Sequence, residues 1–193
     1  MDGEDQMISD TINGISLQMN TNRELFSPTG LDSGTRAMLE TRPVEAGEKV
    51  LDLGCGAGWV GIYASKIVGQ ENVVMCDVSE SAVQFSEQNA LLNGVSPRIV
   101  LSDGFMGLDD TGFSVIYSNP PYQTDFKVAK HFIEKGFNRL IIGGKMVMVV
   151  KRRAWYENKL RAIFGGCRIV EKYGYFVFIA EKRSMSYAGK AKK

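Results

Sequence analysis

Apolar positions along this chain alternate between two spacings. Residues 49–53 and 72–76 are short apolar runs of the length of buried strands. Between them, 57–68 carries Val60, Ala64, Ile67 and Val68 at helical spacing. Ser79 as N-cap, Glu80 in the first turn and Gly94 as a stop predict the next helix. Further strands are predicted at 98–101 and 113–117, then a helix at 127–137. Two strand stretches, 140–142 and 145–150, flank Gly143-Gly144. A helix over 155–164 ends at Gly165-Gly166, and 167–172 with 175–180 form a closing strand pair. Ahead of this series, Ile15, Leu17 and Met19 alternate with polar residues. They predict one short strand over 12–19, turned back by 20–23 towards Leu25 and Phe26. Residues 1–10 are polar and acidic and read as frayed. Asp32 suits the N-cap of a helix reaching Leu39. Strand–helix alternation of this kind predicts an open, mainly parallel α/β sheet.

The stretch 50–61, Val-Leu-Asp-Leu-Gly-Cys-Gly-Ala-Gly-Trp-Val-Gly, is a strand running into a glycine turn and then a helix. Gly54, Gly56 and Gly58 lack β-carbons, so the backbone can take positive φ and approach a ligand. The register differs from a dinucleotide fingerprint. Counted from Gly54, its third glycine would fall on Trp59; Gly56-x-Gly58-x-x-Gly61 fits the pattern but starts two residues too far from the strand. Asp52 separates the two ligand classes further. A carboxylate at the strand end is unfavourable beside a diphosphate and favourable beside a cation, such as the ammonium and sulfonium of S-adenosyl-L-methionine (AdoMet).

In open α/β sheets ligands bind at the carboxyl ends of the strands, and Asp52, Asp77, Asp103 and Asn119 all fall there. Asp77 can accept hydrogen bonds from both hydroxyls of a ribose. Asp103 suits an adenine amino group, with Phe105 or Val78 against the ring and Gly104 in the same turn; Ser102-Asp103-Gly104 also suits an ordinary turn. Asn119-Pro120-Pro121-Tyr122 fits the chemistry of a conjugated nitrogen, a poor nucleophile because its lone pair is delocalised. The Asn119 side-chain oxygen and the Pro120 carbonyl can accept hydrogens from an NH2 group and aim its lone pair. Tyr122 offers a stacking face. No titrating base is needed, so positioning and electrostatics supply the catalysis.

Composition narrows the surroundings. The chain has 193 residues, 44% hydrophobic and 23% charged, with a net charge of +1. That suits one soluble domain over 1–193, with 1–45 covering the ligand site, 46–181 as the core and 182–193 as a basic tail. Cys55, Cys76 and Cys167 are odd in number and read as free thiols. His131 is the single histidine, so no metal site and no histidine-centred triad is expected, and His131 itself reads as a surface or partly buried side chain. The absence of a membrane-spanning run and of a signal-peptide pattern points to the cytoplasm. Lys151, Arg152 and Arg153 follow a strand end on the ligand side and suit RNA phosphates or a solvated turn equally.

The order Asp52-x-Gly54-x-Gly56-x-Gly58, then Asp77 25 residues later, then Asp103, then Asn119-Pro120-Pro121-Tyr122, resembles the class I AdoMet-dependent methyltransferases over residues 26–181. The resemblance implies a Rossmann-like seven-stranded, mostly parallel sheet with helices on both faces and an antiparallel final strand. It implies Asp52, Gly54, Gly56, Gly58, Asp77, Val78, Asp103, Gly104 and Asn119 as cofactor-binding residues. Asn119, Pro120 and Tyr122 are then catalytic. Phe26-Ser27-Pro28-Thr29-Gly30-Leu31-Asp32-Ser33-Gly34-Thr35 is similar to the segment before the first motif in the guanine-N2 methyltransferases of small-subunit ribosomal RNA. Those bacterial enzymes often carry an additional N-terminal domain, and this chain resembles their single-domain relatives. The resemblance places Asp32 and Thr35 near the methionine end of the cofactor, and Pro121, Tyr122, Lys151, Arg152 and Arg153 with them on the substrate side. The implied acceptor is a guanine amino group in ribosomal RNA. A planar protein glutamine amide, an adenine N6 and a non-catalytic RNA-binding module are the alternatives.

Overall fold

A computed structural model describes residues 6–21, 30–121 and 126–190, which form nine strands and five α-helices. Parallel strands β3 (Val50–Leu53), β4 (Val73–Asp77), β5 (Arg98–Leu101), β6 (Phe113–Ser118) and β7 (Leu140–Val150) alternate with helices. These are α2 (Trp59–Val68), α3 (Glu80–Leu92) and α4 (Lys127–Arg139). Helix α5 (Ala154–Phe164) then leads to β8 (Arg168–Lys172) and β9 (Tyr175–Glu181). The sheet order is β5-β4-β3-β6-β7-β9-β8, and β9 runs antiparallel to both neighbours. Strand order reverses beside β3, with β4 on one side and β6 on the other. Asp52 pairs in register with Met75 and Tyr117 at that reversal, where open sheets hold their ligands.

Each central strand feeds two cores because its side chains alternate between faces. Val115 and Tyr117 of β6, with Val147 and Val149 of β7, pack on one face with α2, α3 and α1 (Ser33–Thr41). Phe113 and Ile116, with Met146, Met148 and Val150, pack on the other with α4 and α5. The two stretches predicted around Gly143-Gly144 form one strand. It shifts register there, where Gly143 has φ +83°, and Lys182 clasps the bulge through Gly143, Gly144 and Leu140.

The amino-terminal expectation is corrected. Residues 6–12 are not frayed: β1 (Gln6–Ile12) and β2 (Ile15–Thr21) make a hairpin turned at Asn13-Gly14, both at positive φ. Leu17 and Met19 are buried as the alternation requires. Of the turn predicted over 20–23, Asn20 and Thr21 belong to β2 instead, and 22–29 lies outside the described residues. Within the expected basic tail, Lys182 is buried and the Tyr187 ring lies edge-on to Phe137 at 5.1 Å. Among the described residues no helix is long and apolar enough to cross a membrane.

Candidate active site

The chain leaves β3 into a turn held by the neighbouring strand. The Gly54 and Cys55 N–H groups both donate to the Cys76 carbonyl, at 2.9 and 3.0 Å. Gly54 and Gly56 have φ of +79° and +55°, and a Cβ on either would meet nothing within 4 Å, so both border open space. Gly58 is different. It caps α2 at φ +96°, and its Cβ would lie 3.0–3.2 Å from Ile62, Met75 and Ser86. Gly58 therefore serves close helix–sheet packing and does not line the cavity. A Cβ at Gly61 would lie 2.4 Å from the buried Met75 side chain, so any larger residue there would have to displace Met75.

Two carboxylates brace this turn. Asp52 is buried, and its Oδ2 accepts from Gly61 N–H at 2.8 Å. Burial pushes its carboxyl up to about 7; the negative charge of Asp77 adds to this, and the Gly61 N–H opposes it. Asp77 Oδ2 accepts from Gly56 N–H at 2.9 Å and its Oδ1 from Ser79 N–H at 3.0 Å. Each oxygen keeps a further lone pair for a ligand hydroxyl. Helix α3 supports the turn from behind. Ser86 Oγ donates to the Gly56 carbonyl at 2.8 Å, and Asn89 Nδ2 donates to the Ala57 carbonyl at 2.9 Å. Asn89 also exchanges two bonds with the Asn20 backbone of β2, so the hairpin and the glycine turn share one anchor. Sequence reasoning passed over both residues, although the pair has a signal: they are polar and three apart on the inner face of an amphipathic helix, where burial demands partners.

A cavity of about 340 Å³ opens over the strand ends, a size suited to a small-molecule ligand. It is lined by Asp52, Gly54, Gly56, Asp77, Val78, Asp103, Gly104, Asn119, Pro120 and Pro121, and by Asp32 and Thr35 at the start of α1. Val78 is 67% exposed and available to a ring, whereas Phe105, the other expected ring partner, is buried in the core behind α4. His131 stands behind the Asp103-Gly104 turn. Its Nε2 accepts from Phe105 N–H at 3.4 Å, and its ring would clash at 2.8 Å with a Cβ on Gly104.

Asn119 follows β6 and reaches back to the start of α1. Its Nδ2 donates to Asp32 Oδ1 and to Thr35 Oγ1, both at 3.1 Å. Asp32 is the N-cap expected of it, accepting from Gly34 and Thr35 N–H at 2.9 and 3.1 Å. Tyr122 lies outside the described residues. Lys151, Arg152 and Arg153 do not line the cavity. The Ser118–Met148 register puts them at the same end of the sheet as Asn119. Lys151 sits 5.2 Å over the Tyr175 ring, which packs on Gly34 beside Asp32. Arg153 pairs with Glu157 at 2.9 Å.

A family model, the methyltransferase small domain, matches residues 16–180. The chain belongs to this family. Among its methyltransferase relatives, ribosomal RNA small subunit methyltransferase C of Serratia proteamaculans is 32% identical over 165 residues. That alignment covers 83% of this chain and 47% of the relative. Ribosomal RNA large subunit methyltransferase G of Shewanella pealeana is 30% identical over 189 residues, covering 91% of this chain and 46% of the relative. A T. thermophilus 16S rRNA N2 methyltransferase, solved in complex with AdoMet and guanosine, superposes with a TM-score of 0.85 at 25% identity. It covers 93% of this chain and 51% of the solved one. The chain spans about half the length of the curated relatives it matches. The family and this superposition agree with the seven-stranded methyltransferase fold expected from the motifs.

Proposed function

We propose that this chain is an AdoMet-dependent N-methyltransferase whose acceptor is the N2 amino group of a guanine in ribosomal RNA. The observation that carries the reading is one cavity lined both by the Asp52–Gly54–Gly56–Asp77 cradle and by Asn119 and Pro120. The cradle suits this cofactor because Gly54 and Gly56 leave open the volume that side chains would fill, and because its two carboxylates complement a cation and a ribose. When bound, AdoMet supplies an electrophilic methyl group. The chain's own residues then have three tasks. Asp77 accepts from the ribose hydroxyls, and Asp103 with Val78 holds the base. Asn119 and the Pro120 carbonyl accept hydrogens from the acceptor amine, drawing its lone pair out of conjugation. Relatives named as ribosomal RNA methyltransferases favour RNA over a protein glutamine. The test is transfer of a labelled methyl from AdoMet, offering under-methylated ribosomal RNA and ribosomal proteins side by side; label confined to protein would refute the RNA acceptor.

Asp52 makes cofactor binding pH-dependent. Its acid is held up to about 7 in the unliganded fold, and a cationic ligand favours the carboxylate. Binding near pH 6 should therefore expel a proton, and affinity should climb with pH and level off above about 7. Calorimetry in buffers of different ionisation enthalpy reads the proton, and Asp52→Asn should abolish it. For stability the sign is opposite. A raised acid pKa favours the fold fully below the unfolded value of about 4 and loses that contribution as pH rises through about 7. The ligand-free melting temperature should fall over that window relative to Asp52→Asn.

The basic cluster also yields a salt prediction. Lys151, Arg152 and Arg153 are the expected phosphate contacts. Replacing all three with alanine should reduce the log–log salt slope of single-stranded RNA binding by about 2, that is about 0.7 per contact. Binding titrations from low to moderate salt measure it, and an unchanged slope in the triple variant would remove this cluster from the RNA surface.

A further inference from the structure

The two partners of Asn119 come from a distant part of the chain, 87 and 84 residues away. Asp32 Oδ1 and Thr35 Oγ1 each lie 3.1 Å from Nδ2. A carboxylate oxygen only accepts hydrogen bonds, so the nitrogen of the carboxamide, and not its oxygen, must face Asp32. The NH2 group has two hydrogens, and these two acceptors take one each. Because the amide is planar, its oxygen lies on the side away from them. Asp32 is itself held in place, since the same Oδ1 accepts from the Gly34 and Thr35 N–H groups at the start of α1. Thr35 is 6% exposed, so its hydroxyl is set by packing as well.

We propose that Asp32 and Thr35 are positioning residues that lock the polarity of the Asn119 carboxamide, so that the site presents an acceptor and selects nucleophiles carrying N–H donors. This rests on the methyl-transfer reading of the site and deepens it. An amide turned over by half a revolution would present its NH2 to the incoming nucleophile, and donor would meet donor. A guanine edge carries the N2 amino group and N1–H, both donors, at one end and the O6 acceptor at the other. An Asn119 oxygen selects the donor end; an inverted Asn119 selects O6. The acceptor specificity of the Asn-Pro-Pro motif is thus set partly from outside the motif, by the segment that precedes the central strand.

Substitutions can separate this role from helix capping. Asp32→Ser keeps an N-cap residue but is too short to reach Asn119. Thr35→Val keeps the shape and removes the hydroxyl, and Thr35→Ser restores it. The first readout is independent of activity: NMR of the Asn119 side-chain amide, assigned by its loss in Asn119→Ala. In the wild type both hydrogens should exchange slowly; Thr35→Val should release one, and Thr35→Ser should keep it. The second readout is single-turnover and steady-state methyl transfer to RNA. Asp32→Ser and Thr35→Val should each lower kcat by about 10- to 100-fold, the cost typical of losing a group that orients a site residue. KM should stay within a few-fold, Thr35→Ser should recover most of the rate, and neither loss should deepen in an Asn119→Ala background. Unprotected amide hydrogens in the wild type would overturn the lock, as would wild-type rates in both variants or losses that multiply with Asn119→Ala. A wild type with protected hydrogens that transfers no methyl group would instead refute the methyl-transfer reading and leave the lock standing.

Discussion

Asn119→Ala should lower single-turnover methyl transfer by about 100- to 1,000-fold, the range found when one preorganised polar group is removed from where it meets the reacting centre. AdoMet affinity should change little, because the groups assigned to ribose and methionine belong to Asp77 and the glycine turn. The split arises from what the carboxamide does. On the proposed reading its oxygen accepts from the amine as the lone pair is redirected, so its worth would be realised on the way to the transition state. Stability should not confuse the result, since Asp32 keeps its bonds to Gly34 and Thr35 N–H when the Asn119 amide is gone. Rapid-quench assays with saturating cofactor, beside calorimetric titration, separate the two effects. Equal rates in variant and wild type would mean that the amine is activated elsewhere.

Asp77→Ala should do the reverse, weakening AdoMet binding by about 10- to 150-fold. Charge-assisted hydrogen bonds to the ribose contribute about 1.5–3 kcal/mol, which converts to that range. The structure adds a second source of loss. Asp77 also accepts from Gly56 and Ser79 N–H, so its removal orphans one donor in the glycine turn and another at the start of α3. Asp77→Asn should be nearly as damaging, because both carboxylate oxygens accept from backbone N–H groups and the amide nitrogen must then face one of them. Calorimetry measures both variants. NAD should bind neither these nor the wild type, and tight NAD binding would overturn the cofactor assignment.

What could be read along the chain was whatever repeats locally. Strand–helix alternation gave the sheet, and the strand-end positions of Asp52, Asp77, Asp103 and Asn119 brought these residues to one cavity. The Asp32 cap was also readable, because capping is decided within four residues. The hairpin β1–β2 was misread although Asn13-Gly14 is a strong local turn signal; the charged residues around Met7 and Ile8 masked the first strand. Other features had no local signature. The bond from Asn119 to Asp32 spans 87 residues, and the support of Gly56 by Ser86 spans 30. Phe105 was expected, as an alternative to Val78, against a ligand ring; its packing with α4 places it in the core instead. Arg153 was one of three adjacent basic residues; its pairing with Glu157, a helical turn later, came only with the structure.

The most direct test of the account is the identity of the methylated nucleoside. Ribosomal RNA from cells lacking this activity would be incubated with the protein and methyl-labelled AdoMet, digested to nucleosides and resolved by mass spectrometry. The account predicts label in N2-methylguanosine, abolished by Asn119→Ala. Label in N6-methyladenosine, or in glutamine of a protein offered alongside with none in RNA, would contradict it.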